Sequence, residues 1–170
     1  YNRQLKDWGR YVYVKLTLSE TFPRLSIVKD VKDDGALYLG PLSSRSSAQR
    51  VVDAIHTSVP LRRCAGRIGK RALRDAPCTA AQLGVSMCPC AGGVDPDEYR
   101  LVVERAVRGL TIEPDLLLQP LTERIASLAT DERFEEAADV RDRASALAGA
   151  INRQRKFDQL RRSEERRVGK

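Results

Sequence analysis

The sequence predicts an α+β fold: a small antiparallel sheet, then a mainly helical remainder that ends in an αα-hairpin. Three observations carry this. Residues 11–18, Tyr-Val-Tyr-Val-Lys-Leu-Thr-Leu, are β-branched and aromatic, the composition of a strand. Apolar residues recur at helical spacing over 45–58 and again after Pro96. Two further apolar stripes flank the polar Thr130-Asp131-Glu132-Arg133, which reads as the turn of a helical hairpin.

In order along the chain, Pro23 opens a second strand-like run, Arg24–Lys29, and Asp34-Gly35 signals a turn before Leu37-Tyr38-Leu39. Gly40-Pro41 is expected to end the sheet, and Ser43 or Ser44 to cap the helix over 45–58, whose stripe is Ala48, Val51, Val52 and Ile55. Pro60 stops that helix. Asp95-Pro96 with Asp97 and Glu98 is a helix start, and Tyr99, Val102, Val103, Ala106, Val107 and Leu110 share one side of that helix. Pro114 and Pro120 are expected to bracket a connector. Leu121, Ile125 and Leu128 then line up on one helix, and Phe134, Ala137, Ala138, Arg141, Ala144, Ala148 and Ile151 on the next.

Composition narrows the function. Aromatics are 5% of the chain, too few for a large aromatic core. No run approaches the roughly 18 apolar residues of a spanning helix, so a membrane role is not expected. No glycine-rich phosphate loop is present, so no nucleotide site is expected. The last nine residues, Arg162–Lys170, match the translation of a common sequencing adapter, and we set them aside as a foreign scar. Without them the formal charge falls from +7 to +5, still basic enough to favour a polyanionic partner.

The segment 61–93 has no aromatic residue but holds all four cysteines, Cys64, Cys78, Cys88 and Cys90. A bound metal or cluster supplies a cross-link where apolar packing is sparse. The intervals of 13, 9 and 1 residues between them fit the paired spacing of zinc tetrathiolates poorly. Iron–sulfur ligation tolerates irregular spacing; zinc and four free thiols are the alternatives. Arg62, Arg63, Arg67, Lys70, Arg71 and Arg74 fall within the same segment with no acid among them, a candidate set of phosphate contacts. Base stacking is not expected, because no aromatic residue is interleaved. The lone histidine, His56, reads as a packing residue beside Ile55 rather than a catalytic one.

Several motifs resemble the UvrC-type excinuclease family. Tyr1-Asn2, Lys6-Asp7 and Tyr11-Val12-Tyr13-Val14-Lys15 resemble the final segment of its GIY-YIG nuclease domain, and Phe22-Pro23-Arg24-Leu25 and Tyr38-Leu39-Gly40-Pro41 continue the likeness. Pro60-Leu61-Arg62-Arg63-Cys64, Pro77-Cys78 and Pro89-Cys90 resemble its cysteine motifs. Phe134-Glu135-Glu136-Ala137-Ala138-Asp139-Val140-Arg141-Asp142 resembles the UVR motif shared by UvrC and UvrB. The likeness covers residues 1 to 150, with two departures: Gly9 stands where the family usually has lysine, and Ser86 where it has cysteine. Tyr38–Leu42 with Ser44-Arg45 is also similar to actinobacterial proteins that fuse a DEDD exonuclease to a UvrC-like half.

The resemblance implies an incomplete piece of a larger repair nuclease. Residues 1–42 would end a GIY-YIG-like domain, 43–113 would hold helices and the cysteine region, 114–157 would be a UVR hairpin, and 158–170 a tail. Asn2 would be the one remnant of a catalytic site. The cysteines would hold a [4Fe–4S] cluster, with zinc as the alternative, and Mg²⁺ would serve only the complete nuclease. The basic run would contact DNA. Leu121, Ile125, Leu128, Phe134, Glu135, Ala137, Ala138, Arg141 and Asp142 would dock a UvrB-type hairpin, in the cytoplasm. The expected function is nucleotide-excision repair. The alternatives are the UvrC-like half of a DEDD 3′–5′ exonuclease fusion and a non-catalytic adaptor for DNA and protein.

Overall fold

Strand β1, Val12–Leu16, alternates as a half-buried strand must: Val12, Val14 and Leu16 point into the core, Tyr13 and Lys15 to the other face. The computed structural model that gives this arrangement describes residues 11–66, 68 and 75–168. Asn2, Arg67, Lys70, Arg71 and Arg74 therefore lie outside the described residues.

Strands β2 (Leu25–Val28) and β3 (Leu37–Leu42) pair antiparallel with β1 on its two sides, giving the order β2-β1-β3. The turn at Asp34-Gly35 does occur, with Gly35 at φ +70°, but it leads across the sheet instead of closing a hairpin between neighbours. Asp34 instead ties the strands through its side chain, pairing with Lys15 and accepting from Tyr38 Oη at 3.0 Å. The sheet also does not end at Gly40-Pro41. Strand β3 runs through this cis peptide to Leu42, with an irregularity in the β1 register opposite. Gly40 has φ +149°, and a Cβ there would stand 2.8 Å from Cδ1 of Tyr13, so the position suits only glycine.

Helix α1 (Arg45–Ser58) starts where Ser44 accepts from the Ser47 N–H at 3.0 Å, and it buries Ala48, Val51, Val52, Ala54 and Ile55. The short α2 (Thr79–Gln82) and a 3₁₀ turn at Pro89–Ala91 lie in the cysteine segment. Helix α3 (Pro96–Thr111) begins on Asp95, whose carboxylate accepts from the Asp97 N–H, and it buries Tyr99, Val103, Ala106, Gly109 and Leu110.

Helix α4 (Asp115–Thr130) starts earlier than its apolar stripe suggested, because Pro120 lies inside it rather than in a connector. Proline has no N–H for the Leu116 carbonyl, which Arg105 Nη2 reaches at 3.5 Å. The helix ends in a Schellman turn: Arg133 N–H donates to Leu128 O, Glu132 N–H to Ala129 O, and Glu132 takes φ +58°. Helix α5 (Phe134–Val168) then returns along α4, and it continues through the residues expected to form a separate tail.

The hairpin is not free-standing. Helix α5 packs against α1 and β3 as well as α4, and one apolar core runs from Val12 to Ile151. The stripe that α5 buries is Ala137, Val140, Leu147, Ala150 and Ile151, more aliphatic than the alanine-rich stripe expected. Among the described residues, no helix is long and apolar enough to cross a membrane.

Candidate metal centre

The segment Pro60–Cys64 is the spine on which the cysteines are arranged. Its Arg62 pairs as an isolated parallel bridge with Arg24 at the sheet edge. Its carbonyls receive the second cysteine segment: Met87 N–H donates to Pro60 O at 2.8 Å, and Ser86 Oγ to Leu61 O at 3.1 Å. These bonds place Cys88 and Cys90, on either side of Pro89, next to Cys64. Cys78 comes in from the start of α2, where its carbonyl accepts from Ala81 and Gln82 and its own N–H donates to Sγ of Cys90 at 3.4 Å.

All four sulfurs lie within 4.8 Å of one another, with Cys88 and Cys90 buried and Cys64 and Cys78 half-buried. They are close enough to hold a metal ion. A tetrahedral zinc ion about 2.3 Å from each sulfur separates the sulfurs by about 3.8 Å, so the donor set and its size fit a single ion. Cys88, not a residue at position 86, completes the set. Ser86 is buried and its hydroxyl is engaged with Leu61.

Burial pushes the thiols of Cys64 and Cys88 up from their ordinary value. Burial works in the same direction at Cys78, but the Ala81 N–H and the neighbouring thiols outweigh it and bring that thiol down to about 7. Cys78 therefore ionises more readily than Cys64 or Cys88, at the half-buried side of the cluster.

The basic run divides. Arg62 is no DNA contact: its side chain is 0% exposed and fully engaged inside the protein. Nε donates to Phe22 O at 2.7 Å, Nη1 to Cys64 O at 2.8 Å and Gly66 O at 2.6 Å, and Nη2 to Glu20 at 2.6 Å. Three carbonyls and a carboxylate offset the cost of burying the charge. Arg63 is exposed and borders a groove of mixed charge, with Arg124 and Arg143 beside Glu123, Glu136 and Asp139. Glu20 and Tyr99, which hold Arg62 in place, were not among the candidate site residues, and no spacing rule links them to it.

The docking set divides as well. Leu121, Leu128 and Ala137 are buried in this chain's own core and offer nothing to a partner. Ile125 and Ala138 are half-buried. Glu135, Arg141 and Asp142 are exposed, and Phe134 is 65% exposed at the start of α5.

Comparison with known proteins gives a consistent picture. The sequence model of the "UvrC/Cho excinuclease, middle domain" matches residues 11–109. "UvrABC system protein C" of Geobacter metallireducens is 37% identical over 155 residues, 91% of this chain and 25% of that protein. The protein of the same name from Thermus thermophilus is 38% identical over 147 residues, 86% of this chain and 24% of its own length. That from Caldanaerobacter subterraneus is 32% identical over 155 residues. The chain spans about a quarter of the length of these curated relatives. No solved structure matches it.

Proposed function

This chain belongs to the UvrC/Cho excinuclease middle-domain family, and from that premise we propose that it is the metal-braced, DNA-contacting and partner-docking module of a nucleotide-excision-repair nuclease. The observation that carries the reading is the convergence of four cysteine sulfurs within 4.8 Å. A metal held by Cys64 and Cys78 closes the chain between them, and Arg67, Lys70, Arg71 and Arg74 all lie in that interval. Closing it reduces the freedom that phosphate binding would otherwise have to remove.

In this reading the metal supplies a cross-link, and the chain's own residues do the rest. Arg63 and the four basic residues beyond it neutralise DNA phosphates. The exposed Phe134, Glu135, Arg141 and Asp142, with the half-buried Ile125 and Ala138, form the docking surface for a UvrB-type hairpin. The family model takes in residues 11–109, so a GIY-YIG-like nuclease domain would join ahead of residue 11 rather than extend to 42, and cutting, with its Mg²⁺, would belong to that larger protein. The family resemblance gives the centre a [4Fe–4S] cluster; the sulfur spacing suits zinc.

The test combines elemental analysis with DNA binding. Anaerobically purified protein should carry iron with sulfide, or stoichiometric zinc. It should also bind duplex DNA with a salt slope of about 0.9 per phosphate contact. Changing Arg67, Lys70, Arg71 and Arg74 together to alanine should flatten that slope. Protein with neither metal, or an unchanged slope, contradicts the reading.

A further inference from the structure

We propose that Arg62 is a positioning residue for the metal centre, holding the Cys64 turn in its binding geometry from inside the protein; this rests on the metal reading above. The guanidinium donates at once to the carbonyls of Phe22, Cys64 and Gly66 and to the Glu20 carboxylate, all at 2.6–2.8 Å. Two of these acceptors, Cys64 O and Gly66 O, lie on the turn that carries the first thiol. The other two belong to the segment between β1 and β2. Arg62 therefore joins the cysteine turn to the sheet through one rigid fork, and its own N–H donates to Tyr99 Oη at 3.0 Å, which fixes where the fork starts.

The three other cysteines are held differently. Cys88 and Cys90 are buried and come after a segment bonded to Pro60 and Leu61, and Cys78 is set by the start of α2 and its bond to Cys90. Cys64 is half-buried, and the named bonds that shape its turn are those from the guanidinium. With that fork removed, Cys64 O and Gly66 O lose their donors and the thiol loses its fixed place beside Cys88. A metal ion must then order the turn itself, and that ordering is subtracted from its affinity. Lysine cannot stand in, because one ammonium on a flexible stem does not span Phe22, Cys64 and Gly66 together.

The experiment titrates the full 170-residue chain, reduced and metal-free, with Zn²⁺ against a chromophoric chelator. If the chain takes up only a reconstituted iron–sulfur cluster, retained iron replaces Zn²⁺ affinity as the readout. Arg62→Lys and Arg62→Met should bind at least about tenfold more weakly, the lower end of what outer partners of metal ligands contribute. The rise in melting temperature on metal addition should shrink accordingly. Gly109→Ala, where α3 packs against Leu117 of α4, serves as a destabilised control and should keep wild-type metal affinity. If Arg62→Met does not fold, Arg62→Lys, which keeps the buried charge, carries the test. Arg62 variants that bind as tightly as wild type would overturn the assignment and leave the metal centre standing. An equal loss in Gly109→Ala would also overturn it, because loss of stability alone would then suffice. Wild-type protein that takes up neither zinc nor a cluster sinks the metal reading and this inference together.

Discussion

The phenol of Tyr99 sits between two main-chain groups, accepting from the Arg62 N–H at 3.0 Å and donating to the Pro23 carbonyl at 2.6 Å. One side chain from α3 thus ties the entry of β2 to the cysteine spine, with the ring of Phe22 edge-on against it at 5.4 Å. Burial pushes the phenol up to about 12, so it keeps the proton it donates. Tyr99→Phe keeps the ring and strands two buried polar groups. Each costs about 1–3 kcal/mol, so a loss of at least about 2 kcal/mol is expected in urea unfolding. A loss below about 0.5 kcal/mol would show that water replaces the hydroxyl.

Gly109 of α3 packs directly against Leu117 of α4. A Cβ built there stands 2.4 Å from Cγ and 2.8 Å from Cδ1 of the fully buried Leu117. On helix propensity alone Gly109→Ala would stabilise by about 1 kcal/mol. Overpacking costs typically about 1–3 kcal/mol, and because Leu117 has no free side to retreat to, the clash wins. A net loss of about 1 kcal/mol in thermal or urea unfolding is the expected result, with partial recovery in Gly109→Ala/Leu117→Ala. A stabilised single variant would show that the helices slide apart freely.

His56, the chain's single histidine, has its Nε2 shielded from solvent with no hydrogen-bond partner. Burial and then the charge of Arg63 bring it down to about 4 from 6.5, against an opposing pull from Asp53. The folded protein holds it neutral while the unfolded chain protonates near 6.5. Stability is therefore unaffected above that pH and falls as pH drops from about 6.5 to about 4, by at most about 1.4 kcal/mol per pH unit. His56→Leu should remove that part of the slope. Parallel stability profiles for the two proteins over this window would refute the assignment.

Periodic features were the ones legible in the sequence. The alternation at Val12, Val14 and Leu16 marks β1, and the stripes of α1 and α3 fall where they fold. Strand order was not legible, because β2 and β3 each satisfy β1 and nothing local says they lie on opposite sides. Pro120 looked like a boundary because its cost depends on whether another group reaches the orphaned Leu116 carbonyl, here Arg105. Arg62 looked like one more solvated base in a basic run, since its burial depends on carbonyls far away in sequence, as at Phe22. The four cysteines were legible as residue types. Cys88 is a candidate ligand in the sequence although the family has its cysteine at position 86, and its sulfur does lie with the other three, reached through the bonds from Met87 and Ser86 to Pro60 and Leu61.

The docking surface gives the last prediction. Phe134 opens α5 at 65% exposure, a large apolar side chain offered to solvent just where the chain resembles the UVR motif. Packing against Tyr99 or Val103 would have made it a core residue, but those two are buried without it. Removing it should therefore leave the fold alone, since exposed substitutions change stability by no more than about 0.5 kcal/mol. If Phe134 instead anchors a UvrB-type helical hairpin, its loss should cost on the order of 2 kcal/mol of binding, about thirtyfold in affinity. Ala138 is half-buried one turn along; if its small side chain lets a partner helix approach there, Ala138→Leu should obstruct it. Melting temperature by circular dichroism and affinity for the isolated partner hairpin are measured on the same preparations. Weakened binding with an unchanged melting temperature in Phe134→Ala is the expected pair of results. Unchanged affinity would end the docking assignment, and a large drop in melting temperature would move Phe134 into the set of residues that hold the fold.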